Sequence, residues 1–257
     1  MGHVRFSIPK ELIEFIKEKV NIPVFVETGT FKGDAAAWAG DHFEKVHTIE
    51  IIEELYIEAK ERWKNKGNVE FHLGDSALKL NEVIKNIPAQ TMFWLDGHWS
   101  PFVVHQDAKQ CPLLEELLAI SAKQDSVIFI DDVTAFVGTM PPPHKANEWP
   151  TLQQIIEVIQ KLFPGHRFTI MDDVIIVAPE DVMKYVDSFW AMNFNARFKV
   201  EDEVIEKDIN KTLRNYYTSE IVKSLFFKSG NKAFQKYTWI DRLIFAMFRK
   251  NINRLRK

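Results

Sequence analysis

One cysteine, Cys111, stands in a chain of 257 residues. No intramolecular disulfide can form, and a reducing cytoplasm is the expected location. No apolar run approaches the ~20 residues of a membrane-spanning helix. The opening MGHVRFSIPKELIEF lacks the apolar centre of a signal peptide. Internal repeats and low-complexity segments are missing too. Acids are almost absent from one region: between Ile221 and Lys257 only Asp241 is acidic. That segment carries roughly +9 and leaves roughly −12 on the rest. An acidic body disfavours nucleic-acid binding, because phosphate contacts supply most of that affinity. Also missing is the G-x-G-x-x-G of dinucleotide binders.

What is present is an alternation of strand-like and helix-like stretches from about Pro23 to Pro179. Strands are expected at 24–27, 46–51, 69–73, 92–96, 127–131, 167–171 and 174–178. Most are continuous apolar runs, as a sheet covered on both faces requires. Helices are expected at 34–42, 53–66, 76–86, 112–123 and 152–162. Ser76 and Thr151 suit N-caps, and Pro112 suits a first helical position. Asp172-Asp173 alone separates the last two strands and suits a hairpin turn. The expected fold is α/β: a doubly wound, Rossmann-like, mostly parallel seven-stranded sheet with an antiparallel last strand, plus a C-terminal helical extension. The expected division is a domain over 1–180 and a helical, basic extension over 181–257. Long loops at 97–110 and 134–150 follow strands at their carboxyl ends, where such sheets place ligands.

The first loop, within VFVETGTFKGD (24–34), poses an electrostatic question. A pyrophosphate would sit near the following helix N-terminus, and Glu27 would repel it. A cationic ligand would be attracted. S-adenosylmethionine carries a sulfonium and an ammonium and no phosphate. Glu50 closes the second strand, where a carboxylate can accept both ribose hydroxyl protons. Asp75, before Ser76, follows the third strand, within reach of an adenine amino group, and Asp96 follows the fourth.

These residues resemble the class I S-adenosylmethionine-dependent methyltransferases over roughly 20–180. Glu27, Gly29 and Gly33 match the first motif of that family, an acid and two spaced glycines. Glu50 matches the ribose-binding acid and Asp75 the acid near adenine. The resemblance implies donor contacts from Glu27, Thr28, Gly29, Gly33, Glu50, Asp75, Ser76 and Asp96. Two further stretches, FWLDGH (93–98) and IFIDD (128–132), bring carboxylates to neighbouring strand ends. Clustered carboxylates without thiolates suit a divalent cation such as Mg²⁺ or Mn²⁺. This pairing is similar to the metal-dependent sugar O-methyltransferases of the macrocin O-methyltransferase type, which implies Asp96, Asp131 and Asp132 as metal ligands. His98 stands where that family has a second acid, and no Gly-Gly precedes the fifth strand. The substrate is therefore left open, a sugar being one option.

His98, beside Asp96, is the expected general base, since an imidazole titrates near neutrality. A histidine bonded to loop backbone is the plainer alternative. His144, beside three prolines, is expected to be structural, and Trp99 could line a substrate pocket. Cys111, Glu115, Glu116 and Trp94 are expected in packing or surface roles. The expected activity is O-methylation of a hydroxylated small molecule or sugar; the alternative is a catalytically silent adenosylmethionine-binding protein that finds a partner through its basic tail. In that tail Ile240, Leu243, Ile244, Met247, Phe248 and Leu255 fall on one helical face. Packing on the body, a homo-oligomer interface and peripheral contact with an anionic membrane all remain open for it.

Overall fold

A computed structural model describes residues 8–87, 90–99 and 109–194. Seven strands, β1 (Val24–Thr28), β2 (Lys45–Glu50), β3 (Val69–Leu73), β4 (Thr91–Leu95), β5 (Val127–Ile130), β6 (His166–Met171) and β7 (Val174–Pro179), make one sheet. Its order is β3-β2-β1-β4-β5-β7-β6. The pairings within β1 to β5 are parallel, and β7 runs antiparallel to both β5 and β6. The fold is therefore the expected Rossmann-like sheet with an antiparallel last strand. Asp172 and Asp173 both adopt positive φ, 52° and 70°, the backbone of a two-residue hairpin turn.

Helices cover both faces. α1 (Lys10–Lys17) and α2 (Asp34–His42) pack with Phe25, Val46, Met92 and Phe129 on one side. α4 (Ser76–Ile84), α5 (Leu113–Ile120) and α6 (Leu152–Leu162) pack with Val24, Val26, Phe93 and Ile128 on the other. α3 (Glu53–Arg62) follows β2 and buries only Ala59. α1 is not among the helices expected from sequence. Its buried Leu12, Ile13 and Ile16 form one stripe of helical spacing. Thr151 caps α6 with a reciprocal box to Gln154. The N-cap of α4 is Asp75 rather than Ser76: its carboxylate accepts the Ala77 N–H at 2.9 Å.

Residues 180–192 are helical and bury Val182, Met183 and Val186 against the face that holds α1. The chain divides into units 1–192 and 193–257. The basic amphipathic helix expected in the tail lies outside the described residues. No helix among the described residues is long and apolar enough to cross a membrane.

Candidate active site

The carboxyl ends of β1 to β5 open into a cavity of about 690 Å³, within the usual range for a small-molecule site. Glu27, Gly29, Glu50, Asp75, Ser76, Asp96, His98, Asp131 and Asp132 all line it. Thr28 and Gly33 stand behind the wall. The Thr28 hydroxyl receives the Asp96 N–H at 3.3 Å. Gly33 caps α2 in the left-handed conformation, φ 73°, with Trp63 packed against it.

Close approach decides the residue at position 29. Gly29 has φ 82°, and a Cβ there would lie 2.2 Å from the Asp96 carbonyl oxygen. Only glycine lets the loops after β1 and β4 touch in this way.

Glu27 is buried. The Thr48 hydroxyl donates to its Oε2 at 2.5 Å, and Thr30 lies 2.5 Å from Thr48. While Glu27 is ionised, Thr48 spends its proton on the carboxylate, so Thr30 must donate to Thr48. Burial raises the Glu27 pKa, the Thr48 bond opposes this, and the Asp96 and Glu50 charges add to it, giving about 8. Glu50 accepts the Phe31 N–H at 2.8 Å through one oxygen and the Ile52 N–H at 2.9 Å through the other. Burial raises its pKa against those two bonds. Both amides fix the carboxylate at the cavity wall while lone pairs remain for a ligand.

The chain turns where two consecutive acids can both face the cavity. β5 ends at Ile130, and Asp132 adopts φ 54° before a 3₁₀ turn, Val133–Phe136. Asp173, in the β6–β7 turn, fixes that path. Its carboxylate accepts the Thr134 N–H at 2.7 Å, and its carbonyl accepts the Val133 N–H at 3.0 Å.

His98 lies between carboxylates from two strand ends. Its Nε2 is 2.8 Å from Asp132 and its Nδ1 is 3.7 Å from Asp96. Burial lowers its pKa, but the Asp132 hydrogen bond and the Asp96, Asp132 and Asp131 charges outweigh that and raise it to about 9. The neutral-pH base expected from sequence is therefore an imidazolium in this geometry. It supplies part of the positive charge that the acids need. Asp131 behaves differently: burial and the Asp96 and Asp132 charges lift it to about 8, against the Asp132 amide and His98.

Ligand atoms of Asp96, His98 and Asp132 all lie within 4.8 Å of one another and could hold a metal ion. Asp131, expected as a ligand, is not part of that group. With an imidazole nitrogen among the donors, the set suits Mn²⁺ better than Mg²⁺.

Glu116 departs from the surface role expected for it. It is buried beneath Gly97, next to the Thr28 and Ser76 hydroxyls. Burial raises its pKa to about 7 against those two hydroxyls. A signal existed: Glu116 falls on the stripe of Leu113, Leu117 and Ile120, whereas Glu115 points outward. Thr48 could have been found only with the register in hand, because it lies opposite Glu27. Cys111 is buried and its thiol is pushed up to about 12, so it packs rather than reacts.

The far wall is aromatic. Trp99, Met140, His144 and Trp149 line it, with Trp99 and Trp149 4.9 and 5.4 Å from the His144 ring. Gln110 ties the two long loops together: its Oε1 accepts the Lys145 N–H at 2.7 Å and the Trp149 indole N–H at 3.1 Å.

No family model and no curated protein matches the chain. Among solved structures it is similar to a candidate caffeoyl-CoA O-methyltransferase from Staphylococcus aureus, at 15% identity over 69% of this chain and 86% of that one, TM-score 0.48. It is similar to a candidate methyltransferase from Streptococcus mutans in complex with S-adenosylhomocysteine, at 14% identity over 68% and 99%, TM-score 0.47. An O-methyltransferase from Bacillus cereus, also in complex with S-adenosylhomocysteine, is similar at 17% identity over 67% and 81%, TM-score 0.46.

Proposed function

We propose that the protein is an S-adenosylmethionine-dependent methyltransferase that methylates a hydroxyl of a small molecule or sugar. The observation that carries this reading is the convergence of Glu27, Glu50, Asp75 and Asp96 on one cavity. The loop there closes around a buried acid, which favours a cationic ligand and disfavours a pyrophosphate. Glu50 would accept the ribose hydroxyls, Asp75 would lie beside adenine, and Glu27 would face the charged methionine end. The acceptor would stand against the wall of Trp99, His144 and Trp149, whose rings offer faces to a sugar or a flat ring.

In this reading Asp96, His98 and Asp132 would hold a divalent cation in exchange for the extra His98 proton, and the ion would supply a lowered hydroxyl pKa and a fixed oxygen position. The chain itself provides the orientation. Asp173 holds the Asp132 turn, and Gly29 keeps the Asp96 loop close to the donor. Asp131 lines the same cavity and would take the hydroxyl proton only in its ionised form, which its raised pKa of about 8 reserves for alkaline pH.

Calorimetry with S-adenosylmethionine, S-adenosylhomocysteine and NAD tests the donor. Binding of the first two and none of the third is expected; NAD binding without adenosylhomocysteine binding would reverse the assignment. Glu50→Ala is expected to weaken adenosylhomocysteine by about 1.5–3 kcal/mol, the scale of hydrogen bonds to a charged group. An unchanged affinity in the folded variant would remove Glu50 from the donor site.

A further inference from the structure

A second group of donor atoms lies on the β2–β3 pair, away from the residues assigned above. The parallel register sets His47 opposite Glu70 and Ile49 opposite His72. His47, Glu70 and His72 therefore share one face of the sheet. His47 Nδ1 is 3.0 Å from His72 Nε2. Glu70 Oε2 is 3.3 Å from the first of these nitrogens and 4.0 Å from the second. The other Glu70 oxygen takes the Lys45 ammonium, which leaves Oε2 turned toward the imidazoles. His47 is buried, His72 is half-buried and Glu70 is exposed, so the triangle opens to solvent on the Glu70 side.

We propose that His47, Glu70 and His72 form a transition-metal site, with Zn²⁺ as the ion it fits best. Two imidazoles and one carboxylate are a recurrent zinc donor set that keeps a fourth position for water. Tetrahedral bonds of about 2.0–2.1 Å place ligand atoms roughly 3.3 Å apart, and the three separations here bracket that value. Nitrogen donors select against Mg²⁺ and Ca²⁺. Without the ion the two imidazoles face each other in a hydrogen bond. With it, that bond gives way and His72, on the open side, tilts to admit the metal. The bound ion clamps the edge strand β3 to β2. Those two strands lead to Asp75 and Glu50, so the clamp stiffens one wall of the cavity without entering it. The proposal is independent of the methyltransferase reading.

The test is titration of the metal-free full-length chain with Zn²⁺ against a chromophoric chelator, followed by Co²⁺ with visible absorption. Asp132→Asn serves as the background, because it removes a ligand from the other candidate group. One equivalent of Zn²⁺ is expected to bind this background and to raise its Tm. Adding His72→Asn, or separately Glu70→Gln, should lower the affinity at least about 100-fold, the upper end of the loss seen when even a supporting partner is removed. Both positions reach solvent, so the metal-free Tm should change little. Two results would each overturn the proposal: no zinc binding by the Asp132→Asn chain, or equal binding after both further substitutions.

Discussion

Gly29→Ala should abolish adenosylhomocysteine binding and destabilise the fold by about 3 kcal/mol or more. The new methyl would stand 2.2 Å from the Asp96 carbonyl oxygen and 2.8 Å from its carbon. Both are backbone atoms with no rotamer to yield. Overpacking costs about 1–3 kcal/mol, and a left-handed φ adds about 1–2 kcal/mol for a residue with a Cβ. Relief requires the β4 loop to move off β1, and that loop carries Asp96 and His98. Gly33→Ala is the contrast. Its nearest neighbour is the Trp63 side chain, at 2.8 Å, which can shift. The second variant should lose about 1–2 kcal/mol for its own left-handed φ of 73°, yet bind within about tenfold of the parent, a factor worth about 1.4 kcal/mol. Denaturant unfolding and calorimetry on both variants provide the check. Parent-like binding by Gly29→Ala would mean that the donor does not lie against this loop.

S-adenosylmethionine affinity should rise steeply with pH, approaching about 100-fold between pH 5.5 and 7.5. Glu27 holds its proton up to about pH 8, chiefly because it is buried. A sulfonium and an ammonium bind best to its ionised form, so binding below pH 8 must release a proton. The affinity therefore falls as pH drops, by up to about tenfold per unit. The stability of the ligand-free chain runs the other way. The folded pKa exceeds the ordinary carboxylate value, so this group's contribution is present below about pH 4.5 and is lost as pH rises toward 8. Calorimetry in buffers of different ionisation enthalpy should record the released proton, and Glu27→Gln should remove it. A flat affinity with no buffer-dependent heat would show that Glu27 does not face the ligand's charge.

The strands were legible because most are buried on both faces and read as continuous apolar runs. The shift of one residue at most of their ends reflects where pairing stops, which composition does not encode. The acids at the strand ends were legible as well, since an acid closing an apolar run is conspicuous. Their states were not. His98 carries its charge because Asp132, 34 residues away, arrives beside it through the pairing of β4 with β5. Asp131 and Asp132 look equivalent in the chain. A left-handed turn separates them, so that only Asp132 reaches His98 and Asp131 stays buried. Glu116 is buried because it stands on the apolar stripe of α5, whereas an acid's charge alone points to the surface. The pairing of His47 with Glu70 depends on register, which no local pattern in VEFHL specifies.

The position of β7 has a consequence for the order in which the molecule is built. β7 is the last strand of the described residues, yet it sits between β5 and β6. The turn that precedes it supplies the Asp173 contacts to Val133 and Thr134. Glu27 and Glu50 belong to β1 and β2, strands close together in the chain, which can pair early. Asp132 must wait for a contact some 40 residues ahead, a long loop to close. During synthesis the wall of Glu27 and Glu50 can thus form first, and the cluster of Asp96, His98 and Asp132 is completed only when β7 docks.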